Sequence, residues 1–334
     1  MKLAVDTWSP EMGAPGGGDD LPTGPGDVDP DVEVAAADWA PRRPAIVADT
    51  PVAFVDGVRR VEAIVWGAEL SGGSRVGPQD EAAGLGNPNG PTGAVRQAAA
   101  VSIAAGAVCC TGDKATITNA EVQRLLVGPA GFAPLQTRAG RFEPRAVADD
   151  DPAALQRGMQ ERLRRLERRL LDQLAWPDDV GEVGLLVLDG PLDGSVEVPH
   201  AIGYVKSHHV AYLPDEVRHV VGALAAGERT PLFLAQSSWT RFSWYLRLPF
   251  GGDHPWGGIV RCEASADVGP TEAARLADLA AGQLPRFASR PHKDRRAPQN
   301  LYPIAGLERH LKRLLGDGNH VLRALRDAAH RQPA

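Results

Sequence analysis

The sequence predicts an α/β domain built on a mixed sheet, and three features lead to it. Two short apolar runs, Val52-Ala53-Phe54-Val55 and Leu185-Leu186-Val187-Leu188, are rich in Val and Leu and are each followed by Asp-Gly. Runs of that length and make-up read as buried strands. Ala98 to Cys110 is a stretch of small, almost wholly apolar residues that reads as a third strand inside the sheet. From Pro152 onward, Leu155, Met159, Leu163, Leu166, Leu170 and Leu174 recur at three- and four-residue spacing, which marks a helix with one face on a core. Helices and strands alternate after that helix, the order expected of a mixed sheet with helices packed on it.

Taken in order, residues from about 9 to 45 are rich in Gly, Pro and Asp. They hold too little apolar surface to offset ordering entropy, so 1–45 reads as a flexible or extended acidic arm and 46–334 as the folded domain. Trp8 and Trp39 are the residues that would pin the arm locally. Val52 to Asp56 is the first strand, Gly57 its turn, and Arg60 to Trp66 the returning strand of a hairpin. Residues 70–94, with many Gly, Pro and Asn, read as a long loop. Ala120 to Leu126 reads as a short helix. Asp151-Pro152 opens the long helix, where the missing N–H of proline is not needed, and Trp176-Pro177 ends it.

Val183 to Asp189 is the next strand and Ala201 to Ser207 another. Pro214 to Ala226 is helical. Leu232 to Ala235, Arg241 to Leu248 and Gly258 to Glu263 read as further strands, with the alternation of Phe242, Trp244 and Leu246 suiting one solvated face. Thr271 to Leu284, Pro298 to Leu315 and His320 to His330 complete the chain as helices. No internal repeat is visible.

Composition sets broad limits. The 334 residues are 43% hydrophobic and 23% charged, which is ordinary for a soluble globular chain. No apolar stretch reaches the ~18 residues of a membrane span. The first residues lack the apolar core of a secretion signal. The three cysteines, Cys109, Cys110 and Cys262, cannot pair fully and fit no zinc spacing. A reducing cytoplasm is the expected setting. The formal charge of −6 argues against nucleic-acid binding by the chain as a whole. Basic residues nonetheless gather at Arg157 to Arg169, Arg286 to Arg296 and beyond Arg309, and patches rather than net charge decide binding.

The chemistry lies at Asp56 and Asp189. A buried strand should not deliver a carboxylate without a reason, because a charge out of water costs several kcal/mol or changes its protonation state. Two such deliveries suggest a shared divalent cation. Oxygen ligands suit Mg²⁺ and Mn²⁺, and metal ions can stabilise the attacking and leaving oxygens of phosphodiester cleavage. The third ligand expected is Glu167, on the helix preceding the Asp189 strand. Glu161 competes for the role from six residues earlier, about 600° around the helix.

Val55-Asp56-Gly57, a helical Glu167, Leu188-Asp189-Gly190-Pro191-Leu192, Gly203-Tyr204-Val205-Lys206-Ser207 and Leu301-Tyr302-Pro303 followed by His310 form an ordered set from about residue 50 to 315. Together they resemble the NurA family of nucleases, in its bacterial branch. The resemblance implies a ribonuclease H-like mixed sheet flanked by helices, with additional strands and C-terminal helices. It also implies Mn²⁺- or Mg²⁺-dependent cleavage of DNA, as a 5′-to-3′ exonuclease or single-strand endonuclease, in end processing, repair or phage defence. The implied partners are DNA, a HerA-like hexameric ATPase and a second copy in a homodimer. Carried over by position, Asp56, Glu167 and Asp189 would ligate metal. His310 would be a further ligand or proton-transfer group, and Lys206 would stabilise charge on the scissile phosphate. The chain departs from the family at Val58-Arg59-Arg60, where a small hydroxyl residue usually follows the first Asp-Gly, and at Arg309, where a small residue is usual. The second departure makes Glu308 the fallback ligand.

Plainer readings stand beside these. Asp-Gly is a common turn. Glu167 lies among Arg164, Arg165, Arg168 and Arg169, where weak surface pairing would suffice. Lys206 can be a surface lysine and His310 a solvated histidine. Neighbouring residues on a strand face opposite ways, so His208-His209 is a poor metal pair. Cys109-Cys110 reads as strand packing, and Trp239, Trp244 and Tyr245 as core before base-stacking groups. Arg286 to Arg296 reads as a DNA-tracking segment or a solvated linker. A non-catalytic adaptor of a translocase, and a nuclease acting on RNA, are the alternatives of function.

Overall fold

The computed structural model describes residues 7–9, 12, 22, 24, 26–44, 50–68, 95–174, 184–192, 194, 198 and 200–331. The expected loop at 70–94 and the helix stop at Trp176-Pro177 lie outside these. The described chain is α/β, a mixed sheet flanked by helices. It divides into two compact units, residues 1–56, 106–120 and 167–310 in the first and 57–105, 121–166 and 311–334 in the second.

The first unit begins with β1 (Asp27–Asp29) and receives the start of β2 (Val52–Ala68) and the end of β3 (Val95–Thr111). It then takes in β7 (Leu185–Asp189), β8 (Ala201–Val205), β9 (Phe233–Gln236), β10 (Thr240–Arg247) and β11 (Ile259–Ser265). Its strands follow the order β1-β9-β10-β11-β8-β7-β2-β3. Pairing is antiparallel from β1 to β8 and parallel for β8 with β7 and β7 with β2. The second unit carries β4 (Lys114–Gly128) from residue 121 on, β5 (Leu135–Thr137) and β6 (Gly140–Ala146) beside the far parts of β2 and β3, in the order β2-β3-β4-β6-β5.

The helices are α1 (Pro152–Asp172), α2 (Asp215–Ala223), α3 (Pro270–Gln283), α4 (Tyr302–Leu314) and α5 (Gly318–His330). In the first unit, Leu171 of α1 packs on Ala53 and Val55 of β2, Ala107 and Cys109 of β3, and Leu186 of β7. Val217, Val220 and Val221 of α2 pack on Phe233, Tyr245 and Ile259. In the second unit, Val321 and Leu325 of α5 cover Ala100, Leu126 and Phe142. Each contact is the apolar stripe of a helix on one strand face, the arrangement that removes both from water.

Besides the solvated face expected on the strand at 241–248, which is absent because Arg241 to Leu246 of β10 are all buried, three expectations need correction. The first strand does not stop at Asp56. β2 runs on through Gly57 to Ala68, and the hairpin expected at residue 57 is absent. An Asp-Gly turn needs glycine at positive φ, and Gly57 does not adopt it whereas Gly190, with φ 113°, does. Ala120 to Leu126 is strand, part of β4, and not a helix. Its Leu125 and Leu126 pair with Glu143 and Pro144 of β6, and such ladder pairing overrides the mild helix preference of the segment.

The third correction concerns the arm. Residues 26–44 are packed. Val28 pairs with Ala235, Trp39 is buried in the α2 core, and the Trp39 indole N–H donates to Pro30 O at 3.0 Å. Trp8 is buried too. The anchor is a buried arginine. Arg229 donates to both carboxylate oxygens of Glu33, at 2.8 and 2.9 Å, and to Asp278 at 2.7 Å. The two tryptophans expected to pin the arm are both buried; the ion pair joins residues 196 apart and so left no local signal.

Candidate metal centre

Register brings the two aspartates together. β2 and β7 run parallel with Val55 opposite Leu188, so Asp56 and Asp189 are the next residues along adjacent strands. Successive strand residues face opposite sides. Ala53 and Val55, like Leu186, face α1; Phe54 and Asp56 therefore face away from it. On that other side Phe54 meets Phe287 edge-on, with centroids 5.1 Å apart. α4 approaches there as well and brings Glu308. One carboxylate oxygen from each of Asp56, Asp189 and Glu308 lies within 4.8 Å of the others.

Gly190 ends the β7 strand and exchanges backbone hydrogen bonds with Tyr204, both at 2.9 Å. Its loop lies over Gly203 of β8, where a Cβ would stand 2.7 Å from Leu192 N and 3.0 Å from Gly190 O. The loop is also held by Glu263, which accepts from Leu192 N at 3.2 Å and is itself gripped by Arg241 and Arg261 at 3.0 and 2.8 Å. Replacing Gly203 with Ala is expected to push this loop and Asp189 out of place at about 1–3 kcal/mol of stability. Thermal melting of the variant checks this, and an unchanged melting temperature would show that the loop yields freely.

Cations frame the cluster. Lys206 Nζ donates to Asp189 Oδ2 at 2.6 Å and to Asn300 Oδ1 at 3.0 Å. Arg296 Nη2 donates to Glu308 Oε1 at 2.6 Å. Asn300 and Arg296 are tied through Asp294, which accepts from the Asn300 amide and from Arg296 N, each at 2.8 Å. Asp56 itself is 7% exposed. Burial pushes its carboxyl well above the ordinary 3.8, and the negative charge of Asp189 adds to the push. Lys206 opposes it, while Glu308 and then Glu167 add smaller upward contributions. A buried carboxylate facing two others is the like-charge arrangement that a cation relieves.

The expected site residues fall into two groups. Asp56, Asp189 and Lys206 are together. Lys206 is no surface lysine, since its side chain is 10% exposed and lies in the ion pair. Glu167 is not among the three clustered carboxylates. It sits one turn before Leu171, on the side of α1 that faces Ala53 and Val55, and it reaches Asp56 through its charge. Glu161 pairs with Arg165 on an exposed face. His310 is also outside the cluster. Two residues along a helix is a turn of about 200°, so with Glu308 facing the aspartates, His310 points elsewhere.

The remaining candidates are structural. His208 is buried with Nε2 3.1 Å from Ile259 O, and burial lowers it to about 4, so it is neutral. Cys109 and Cys110 are buried free thiols in β3, and Trp244 and Tyr245 are core. Residues that the sequence reading passed over are Asn300, Asp294 and Arg296. Arg296 lies in the basic segment 286–296, yet its guanidinium serves Glu308. Only the position of Asn300 just before Leu301-Tyr302-Pro303 offered a signal.

The donor set fits a hard divalent cation. It is all carboxylate oxygen, closely grouped and partly out of water. Asn300 holds Lys206 against Asp189, so Asn300→Ala is expected to lower cation-dependent turnover about 10-fold, as loss of a supporting hydrogen bond does at metal sites. Turnover measured against Mn²⁺ concentration reads this; a value equal to the wild type would show that Lys206 needs no second acceptor.

No family model matches the sequence, and no curated protein matches it. Among solved structures the chain is similar to the crystal structure of the NurA nuclease from Sulfolobus solfataricus, with a TM-score of 0.44 and 11% identity over 89% of this chain and 91% of that one. A likeness at that level says nothing about which side chains act.

Proposed function

We propose that the chain is a metal-dependent DNA nuclease whose centre is the cluster of Asp56, Asp189 and Glu308. The observation that carries this reading is the buried Asp56 carboxylate set within 4.8 Å of two others, with Lys206 bonded to one of them. The strand order β4-β3-β2-β7-β8, with α1 entering before β7, supports reading the core as ribonuclease H-like. In that reading the neighbouring parallel strands β2 and β7 each deliver one aspartate.

Asp56, Asp189 and Glu308 would hold Mn²⁺ or Mg²⁺. Glu167 adds negative charge from the α1 side, and Glu308 takes the α4 role that the resemblance gave to His310. When bound, the cation supplies Lewis-acid polarisation of a phosphoryl oxygen and a more acidic water. Lys206, already placed at Asp189, offsets negative charge that builds on the phosphate in the transition state. Arg296 fixes the orientation of the Glu308 carboxylate.

The test is labelled single-stranded DNA incubated with Mn²⁺ or Mg²⁺, with Asp189→Ala and Glu308→Ala as controls. Cleavage that survives both changes would remove the site. RNA in the same assay separates the substrates, and a protein that binds DNA without cutting it would be an adaptor. The homodimer and the HerA-like ATPase rest on the sequence resemblance alone; sedimentation and co-purification test them.

A further inference from the structure

Beside the acidic cluster the first unit has a groove of about 370 Å³. Its floor is Val108 and Cys110 of β3. Ala107 and Cys109 face α1, so Val108 and Cys110 face the side of the sheet that carries Asp56, one strand away. Burial raises the Cys110 thiol to about 11, which leaves the floor neutral. One wall holds Phe287, the ring that touches Phe54. The other is the first turns of α4, with Tyr302 exposed. Lys114 and Arg286 stand at the rim, and the Arg286 guanidinium lies 4.7 Å from the Phe287 ring centroid. α4 thus serves both places: Leu307 lines the groove and Glu308 joins the carboxylates.

Gly306 is the second observation. It lies inside α4 and lines the groove. Glycine there costs a helix about 1 kcal/mol relative to Ala. Close packing does not require it, because a Cβ at Gly306 would meet only the tip of Arg309, at 3.9 Å. The missing side chain keeps the groove open.

We infer that this groove receives an unpaired base of single-stranded DNA next to the scissile phosphate. An apolar trough of this volume between aromatic rings suits a planar ring, and stacking on exposed aromatics beside cations is how unpaired strands are held without sequence readout. Lys114 and Arg286 match the charge of the adjoining phosphates and outnumber the one acid of the lining, Asp113. A base in a duplex is stacked and paired and does not enter. The inference rests on reading the acidic cluster as the nuclease centre and gives that centre its preference for unpaired ends.

The experiment measures binding without metal, by fluorescence anisotropy of labelled oligothymidylate, of an abasic oligomer of equal length and of a closed hairpin duplex. Tyr302→Ala removes the stacking ring, and Gly306→Leu fills the groove at a position the helix tolerates. Both are expected to weaken oligothymidylate binding about ten-fold or more and to leave the abasic and hairpin affinities unchanged. Oligothymidylate bound equally by wild type and Gly306→Leu, or no more tightly than the abasic chain, overturns the inference. Hydrolysis of bis(p-nitrophenyl) phosphate with Mn²⁺ is followed in parallel. It has no base, so the groove variants should hydrolyse it as wild type does. If wild type fails to hydrolyse it or DNA, the nuclease reading falls while the binding result stands by itself.

Discussion

Asp56→Asn is expected to abolish cation-dependent cleavage and at the same time to raise the melting temperature of the cation-free protein. The loss of activity follows from removing the most buried carboxylate of the proposed centre; deleting one preorganised electrostatic group of this kind typically costs about 10²-fold or more. The gain in stability follows from the same geometry. Burial, then Asp189, hold the Asp56 carboxyl well above its ordinary 3.8, so the folded chain prefers it protonated. The stability this group contributes is complete below 3.8 and is lost as pH rises through its raised folded value. At neutral pH folding of the cation-free wild type therefore carries the cost of burying or protonating this carboxyl, a cost that Asn lacks.

Mn²⁺ should stabilise wild type by binding the native state and should do much less for Asp56→Asn. Asp189→Asn should also be inactive, yet without the gain, since its carboxylate is the partner of Lys206 at 2.6 Å. Scanning melts with and without Mn²⁺ measure all of this. An Asp56→Asn protein that melts lower than wild type and still cuts DNA would sink the account of the centre.

Arg229→Met is expected to be the most destabilising single change outside the centre. The Arg229 side chain is 1% exposed and spans Glu33 and Asp278. Glu33 also accepts from Leu232 N at 2.9 Å, so its carboxylate stays in place when the arginine goes. Breaking a buried pair from one side costs about 3–5 kcal/mol, and the lower end is expected here because Arg42, 3.2 Å from Glu33, still offsets part of its charge. Urea midpoints should show the loss, and protease should cut within 26–44 as the arm detaches. Adding Glu33→Gln to Arg229→Met should recover part of it.

The pH profile gives a second readout. Burial pushes Glu33 up, but the hydrogen bond and charge of Arg229 more than reverse this and hold it below its ordinary 4.5. Its stabilising contribution is present above 4.5 and is lost as pH falls through the lowered folded value. That acid-side loss should be smaller in Arg229→Met. An arm that resists protease in the variant would show that Trp39 alone suffices.

Much of the fold was legible because burial and period agree. The spacing of Leu155 to Leu170 predicted α1, and the strand at 185–189 and all the later helices appear near where patterning put them. The errors came where a local signal met a long-range one. Asp56-Gly57 reads as a stop, but the strand continues beside β3 after its pairing with β7 ends at Val55. Ala120 to Leu126 has helix-forming residues that the β6 ladder overrides. In the site, the two aspartates were readable since apolar strands deliver them. On α4 the sequence offered His310 first and Glu308 as the fallback; that Glu308 is the one grouped with the aspartates depends on the rotation of α4 about its axis. Asn300 and Asp294 are ordinary polar residues in sequence and matter only through what they touch.

The three residues of β1 have a further consequence. They cover the free side of β9, and they do so with a strand too short and too acidic, through exposed Asp27 and Asp29, to recruit another chain. Cutting the protein after residue 45 would uncover both the backbone edge of β9 and the apolar patch of Phe233 and Tyr245 beneath Trp39. That edge is a template for strand addition, so the shortened chain should polymerise or precipitate instead of remaining dispersed.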